Sequence, residues 1–239
     1  MLDFFRQDFR YAVRALYRSP GFSITVILLL SLGIGSNTAI FSMINQLAFK
    51  QLPVKNAQEL ALFGHGRWMG ISTGITGLSN DLFSEAQWAE LKSDKTLFQD
   101  ATAICSIYFQ FQSFIGDSNS TETVRTRLVT GNYFSLLGTR AAAGRLFTEA
   151  VDFPQNAHPE MVLSYGFAKK RFSNVGDAIG RKIRIGNSVF IVIGVTEPKF
   201  FGTIVGESPD GWIPVSMMSS VPPFYDLHSD KMAQFLYVV

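Results

Sequence analysis

Apolar and polar residues follow three successive patterns along the chain. In the first, Phe5, Phe9, Ala12 or Val13, and Leu16 recur every three or four positions, while Arg6, Arg10, Arg14 and Arg18 recur every four on another side. That is a helical period, and it predicts an amphipathic helix over residues 1–18. In the second, Ser19 to Phe49 contains no Lys, Arg, Asp or Glu. About 20 apolar residues, at ~1.5 Å each, cross a hydrocarbon core of about 30 Å. Residues 19–49 are therefore predicted to be a transmembrane helix, long enough to tilt or to project beyond the bilayer. Pro20 and Gly21 punctuate its start, and Pro53 marks its end after Lys50.

Beyond residue 50 the period shortens and mixes. Glu59–Gly64 reads as a strand, and the Gly-rich stretch Gly64–Gly77 as a loop. Asp81–Lys92 reads as a helix capped by Ser79, Asn80 or Asp81. From Ala101 to Phe111 the odd positions are apolar, the period-two signature of a half-buried strand, with Glu122–Thr130 as its neighbour. A Gly-Asn turn opens a short helix over Gly131–Leu137. Met161–Ser164 reads as a strand and Tyr165–Phe172 as a helix. Arg181–Ile185 and Ser188–Val195 flank Gly186-Asn187, a strong hairpin signal. Trp212–Val215 adds a further strand. The fold class expected is α+β: an N-terminal amphipathic helix (1–18), one transmembrane helix (19–49), and a mixed α/β domain over 50–239 in which antiparallel strands are prominent.

Charge sets the orientation. The chain has 21 basic and 19 acidic residues, but its positive excess lies in residues 1–18, ahead of the uncharged run. The positive-inside rule places residues 1–18 in the cytoplasm and the later domain outside, periplasmic in a cell with an inner membrane. The competing reading is a cleaved signal peptide, whose apolar region spans only about 7–15 residues. The run here is longer. The arginine-bearing helix is expected to lie on membrane lipid, with Arg10, Arg14 and Arg18 meeting anionic headgroups. No basic patch marks the rest of the chain, so nucleic acid is not an expected partner.

Within the span, Gly33, Gly35, Asn37 and Thr38 are unusual. Small residues let helices approach closely in lipid, and Asn or Thr can hydrogen-bond across an interface. An amide facing lipid would be poorly satisfied. These four residues are candidates for packing against other transmembrane helices. The plainer alternative is that small and polar residues are tolerated near a membrane edge.

No catalytic, cofactor or metal site is expected. The chain has one cysteine, Cys105, so no internal disulfide can form. His65, His158 and His228 are far apart and form no ligand pair. There is no P-loop, so the chain is not expected to hydrolyse ATP. Ser164 lacks the first Gly of a nucleophile elbow, and no carboxylates are spaced for acid–base work.

Several strings resemble one family. Arg14-Ala-Leu-Tyr-Arg-Ser-Pro-Gly-Phe22 and Leu32-Gly-Ile-Gly-Ser-Asn-Thr-Ala-Ile-Phe41 resemble the start of MacB-like, macrolide-exporter-type ABC permeases. Val129-Thr-Gly-Asn-Tyr-Phe-Ser-Leu-Leu-Gly138, Gly144-Arg-Leu-Phe147, Val162-Leu-Ser-Tyr165, Ile179-Gly-Arg181, Phe190-Ile-Val-Ile-Gly-Val195, Phe200-Phe-Gly202 and Trp212-Ile-Pro214 follow in family order. The resemblance implies the N-terminal portion of a permease subunit in the bacterial inner membrane. Its first helix would carry a periplasmic core domain, and a cytoplasmic ABC ATPase would drive it by mechanotransmission in an export or efflux system. The implied partners are that ATPase, a second copy or second permease half, and a periplasmic adaptor. Arg10, Arg14 and Arg18 then become candidates for ATPase contact. Relatives continue past the apolar segment Phe235–Val239 into three more helices, so the chain is expected to be a fragment. The rival expectation is a single-pass anchored periplasmic binding or scaffold domain without transport activity.

Overall fold

The computed structural model describes residue 14 and residues 16–48, 54–63, 82–96, 98–115, 121–153, 157–204, 206–222 and 236–239. The chain divides into two compact units, Met1–Gln51 and Leu52–Val239.

In the first unit, helix α1 runs over Pro20–Ala48. Arg14 and residues 16–18 are also helical, and the helix is interrupted at Ser19. Pro20 is suited to a first helical position because it has no N–H to leave unpaired. Ser23 bridges the break: its hydroxyl donates to the carbonyls of Leu16 (2.9 Å) and Ser19 (3.1 Å). The 29 residues of α1 extend about 43 Å at ~1.5 Å each. Leu28, Leu29, Leu30, Leu32 and Ile34 are all exposed. A helix apolar all round needs either a protein interior or a bilayer, and this one is long and apolar enough to cross a membrane.

Among its described residues the second unit has nine strands: β1 (Ala103–Cys105), β2 (Phe109–Ile115), β3 (Thr121–Val129), β4 (Ala141–Gly144), β5 (Glu160–Leu163), β6 (Lys182–Ile185), β7 (Ser188–Thr196), β8 (Gly211–Pro214) and β9 (Leu236–Val238). Three helices accompany them: α2 (Glu85–Ser93), α3 (Tyr133–Leu136) and α4 (Tyr165–Arg171). Six strands close on themselves in the order β2-β6-β7-β5-β8-β3, with β3 returning to β2. Two of these pairings, β3–β8 and β5–β7, are parallel, and the others are antiparallel. β1 and β9 extend the sheet beyond β3, and β4 pairs with the end of β7.

Alternation fills the ring. Phe109, Phe111, Ile115, Ile183, Ile185, Phe190 and Val192 are buried, whereas Gln110, Gln112, Lys182, Arg184, Val189 and Ile191 face outward. Closing the ring puts apolar residues from six strands into one core. A fully buried side chain of this kind contributes about 1.5–3 kcal/mol. A second cluster gathers Tyr133, Phe134, Leu137, Phe147, Phe200 and Trp212. Phe134 and Trp212 meet edge-on at 5.6 Å.

Most predicted elements form within a residue or two of expectation. The β6–β7 hairpin turns at Gly186-Asn187, with the left-handed backbone confined to Gly186 (φ 57°), as a type II′ turn requires of its first central residue. Other expectations need correction. α2 starts at Glu85 instead of Asp81, because Ser84 and Gln87 form a reciprocal capping box and Phe83 pairs instead with Leu236. The described part of Glu59–Gly64, up to Phe63, forms no strand: Ala57–Glu59 is a 3-10 turn, and of the extended residues after it Phe63 donates one hydrogen bond to Val238. Ala101–Phe111 is not one strand but two, parted at Ser106–Tyr108. The register against β3 moves by two positions across that gap, from Ile104↔Val129 to Phe109↔Thr126. Most of the 1–18 helix, all of the Gly64–Gly77 loop, and Phe235 lie outside the described residues.

Candidate functional site

The sequence-predicted residues fall on the first unit. Arg10 lies outside the described residues. Arg14 and Arg18 are exposed just ahead of α1. Gly33, Gly35, Asn37 and Thr38 all lie in α1, and they do not form one patch. At about 100° per residue, Gly33 and Asn37 share one face with Ile40 and Ile44. Gly35 and Thr38 lie on the opposite side with Ser31, Ser42 and Asn45. Those five residues follow at alternating spacings of four and three, the period of a helix–helix seam. A Cβ added at Gly33 or Gly35 would meet nothing within 4 Å, so both surfaces are open.

The polar side chains of α1 are not alike in their hydrogen bonding. Thr38 donates to the Ile34 carbonyl at 2.8 Å and Ser36 to Gly33 at 3.1 Å. Such hydroxyls satisfy themselves within their own helix. The Asn37 side-chain amide, like that of Asn45, makes no hydrogen bond among the described residues. In lipid it calls for a donor or acceptor from another chain segment.

In the second unit, a polar cluster that sequence reasoning missed sits where β1 and β2 part. The gap at Ser106–Tyr108 takes the Cys105 carbonyl out of the ladder, and Arg127 of β3 fills the opening. Its Nη1 donates to Cys105 O at 2.8 Å, and its Nε donates to Glu207 Oε2 at 2.8 Å. Its Nη2 donates to the other Glu207 oxygen. The guanidinium also lies 4.8 Å from the Tyr108 ring centre. Both partners are nearly inaccessible, with side chains 4% and 6% exposed. Two residues earlier, Arg125 grips Asp210 bidentately, through Nε at 3.0 Å and Nη2 at 3.1 Å. The Asp210 carboxylate also accepts the Arg125 backbone N–H at 3.0 Å. The Asp210 hydrogen bonds raise the Arg125 guanidinium above its ordinary pKa. Burial raises the Tyr108 hydroxyl, and the carboxylates of Glu207 and Asp210 add to the effect.

The chemical consequence is fastening. The segment between β7 and β8 carries positive φ at Lys199 (77°), Gly202 (96°) and Gly206 (89°). It drives Phe200 into the second apolar cluster, and its far end is held to β3 by two ion pairs. The charges of the cluster are mutually satisfied, so it acts as a brace. The sequence carried a partial signal for it. Arg127 immediately precedes Leu128-Val129 at the buried end of β3, and a buried guanidinium demands a carboxylate. The carboxylate stands 80 positions further on, beyond the reach of local pattern.

Cys105 is buried, and burial pushes its thiol up to about 12. A groove of about 550 Å³ lies between Lys55, Asn56, Glu59, Phe63, Phe98 and Asp100, among other residues. Among the described residues no three His, Cys, Asp or Glu side chains converge as a metal ion would require.

Comparison with known proteins agrees with the family resemblance. Residues 23–238 match the model of the MacB-like periplasmic core domain. No curated protein matches the chain. Among solved structures it is similar to the periplasmic region of MacB from Actinobacillus actinomycetemcomitans, at 16% identity and a TM-score of 0.48, covering 71% of this chain and 85% of that one. It is also similar to the extracellular domain of the ABC-type transporter YknZ from Gram-positive bacteria, at 16% identity and a TM-score of 0.45, covering 66% and 71%. The family match takes in most of α1 and nearly all of the second unit, and the chain belongs to the family of MacB-like periplasmic core domains.

Proposed function

We propose that this chain is the leading part of a permease subunit in an ABC-type export system of the bacterial inner membrane. In this reading α1 is the first membrane span. Residues 1–18 lie in the cytoplasm, where Arg10, Arg14 and Arg18 contact the ATPase or anionic lipid. The second unit stands in the periplasm and moves in response to nucleotide turnover. The ATPase supplies the energy, and the chain itself catalyses nothing. A second copy or a second permease half supplies helices for the open faces of α1, and a periplasmic adaptor meets the outer unit.

The observation that carries this reading is the family match from residue 23 to residue 238, which spans the apolar helix and the outer unit together. The unpartnered amide of Asn37 supports membrane-embedded neighbours. The charge asymmetry across α1 supports the orientation.

The test is purification of the tagged full chain, co-expressed with its genomic neighbours, in mild detergent. A nucleotide-binding subunit should co-purify, and Arg14→Ala with Arg18→Ala should reduce its recovery several-fold. Recovery of the chain without any nucleotide-binding protein would favour an anchored binding or scaffold domain instead. Orientation is checked separately with an impermeant maleimide on cysteines placed at Lys199 and at Arg14. Labelling from the outside at Lys199 alone is expected.

A further inference from the structure

Three segments of the outer unit meet around one buried carboxylate. Asp152 is 8% exposed, and its Oδ1 accepts the Gly131 backbone N–H at 2.7 Å. Gly131 opens the turn into α3. It packs so closely on the neighbouring turn that a Cβ there would lie 2.2 Å from the Thr148 carbonyl oxygen. That neighbouring 3-10 turn, Glu149–Val151, is anchored from below by Ser216, whose hydroxyl donates to the Val151 carbonyl at 2.6 Å. The third segment is α2, whose Lys92 pairs with Glu149 at 3.0 Å.

The charges around Asp152 are unbalanced. The ionisable groups whose fields reach it are Lys92 and Glu85 of α2 and Glu149 of its own turn. With Asp152 itself they make three acids against one base, and Lys92 is already engaged by Glu149. Among the described residues the Asp152 carboxylate thus accepts a single hydrogen bond and has no cation of its own. Removing it from water disfavours its ionised form.

We propose that Asp152 is a proton-operated latch: protonated, it holds the Gly131 turn, the Glu149–Val151 turn and α2 together, and ionised, it loosens that junction. Burial is the main cause that raises its carboxyl, with Glu149 and Glu85 adding to it and the Gly131 N–H and Lys92 opposing, to about 6. The latch therefore loosens as pH rises from about 4 to about 6 and is fully loose at neutral pH. The switch stands on the geometry of the second unit. Only its exposure to the pH of the medium rests on the periplasmic placement proposed above.

The experiment is hydrogen exchange on the full chain in detergent, corrected for intrinsic rates, from pH 4.5 to 8. Amides of residues 131–137 and 148–152 should lose protection at least ten-fold across a transition that ends near pH 6, while amides of β6 and β7 should not. Asp152→Asn should remove the transition, because the amide keeps an acceptor for Gly131 and cannot ionise. Lys92→Met should move the midpoint up and Glu149→Gln should move it down, each by a few tenths of a pH unit or more. An unchanged transition in Asp152→Asn, or no transition in the parent, overturns the latch. Neither result touches the transport reading, which is decided by co-purification.

Discussion

Glu207→Gln isolates what the Arg127 brace is worth. The substitution keeps the shape of the side chain and removes its charge. Arg127 is left with an ionised guanidinium at 4% side-chain exposure, and of its two bonds to residue 207 only one can be remade. The glutamine NH₂ would face a guanidinium N–H, donor against donor. Removing one partner of a buried ion pair leaves an uncompensated charge and costs about 3–5 kcal/mol. The neighbouring pair provides an internal control. Arg125 has a side chain 45% exposed, and an accessible pair contributes about 0–1 kcal/mol. In a domain of this size each kcal/mol moves Tm by about 2–4 °C. Glu207→Gln should therefore lower Tm by about 10 °C, and Arg125→Met by no more than about 4 °C. The double variant Arg127→Met with Glu207→Leu should recover most of the loss, since an apolar replacement of a buried pair is often close to neutral. Thermal unfolding of the full chain in detergent, followed by near-ultraviolet circular dichroism of the buried Trp88 and Trp212, reads all three. If Glu207→Gln and Arg125→Met fall within about 1 kcal/mol of each other, the cluster is hydrated and the brace argument fails.

Three further outcomes are expected. Asp152 titrates near 6 in the folded chain against an ordinary value of 3.8. A raised carboxyl gives stability that is full below the lower value and lost as pH climbs through the higher, a span of about 3 kcal/mol. Tm should fall as pH rises from about 4 to 6, and Asp152→Asn should flatten that slope and exceed the parent's Tm at pH 7.5. Gly194→Ala would place a Cβ 1.9 Å from the Arg145 carbonyl oxygen, and such overpacking should cost about 1–3 kcal/mol; Gly166→Ala in α4, where nothing lies within 4 Å, should be neutral or stabilising in the same unfolding assay. Cys105, buried with its thiol held near 12, should resist maleimide at pH 7.5 in the folded chain and label fully in urea, as a thiolate-poor sulfur must.

Features decided by neighbours in sequence were legible before the structure. The uncharged run became α1, Gly186-Asn187 became a hairpin turn, and Gly131-Asn132 led into α3. Features decided by distant segments were not. The parallel pairings β3–β8 and β5–β7 close the barrel, and nothing in either strand's own pattern selects its partner. The period-two pattern after Ala101 misled for a physical reason. Odd positions are buried throughout, but Thr102, Ile104 and Ser106 are buried as well, because both faces of β1 are covered: Ala103 and Cys105 pack into the first apolar cluster and Ile104 into the second. Alternation between core and solvent begins only at Phe109. Helix α2 likewise had three chemically suitable caps upstream. The reciprocal bonds of Ser84 with Gln87, at 3.3 and 2.9 Å, selected a fourth.

The membrane helix shows how contiguity in sequence differs from contiguity in space. Gly33, Gly35, Asn37 and Thr38 lie within six residues, yet α1 turns them onto two opposing faces. One face presents Gly33 and the unpartnered Asn37. The other presents Ser31, Gly35, Thr38, Ser42 and Asn45 at seam spacing. A helix with two such faces is suited to the inside of a bundle, between two neighbours, more than to a single dimer contact. Leucine substitutions distinguish the cases. Asn37→Leu alters only the first face, and Gly35→Leu only the second. If α1 has two neighbours, each variant should weaken a different contact in cysteine crosslinking between membrane helices. If both variants abolish the same crosslink, α1 has one neighbour, and the division of its faces has no role in assembly.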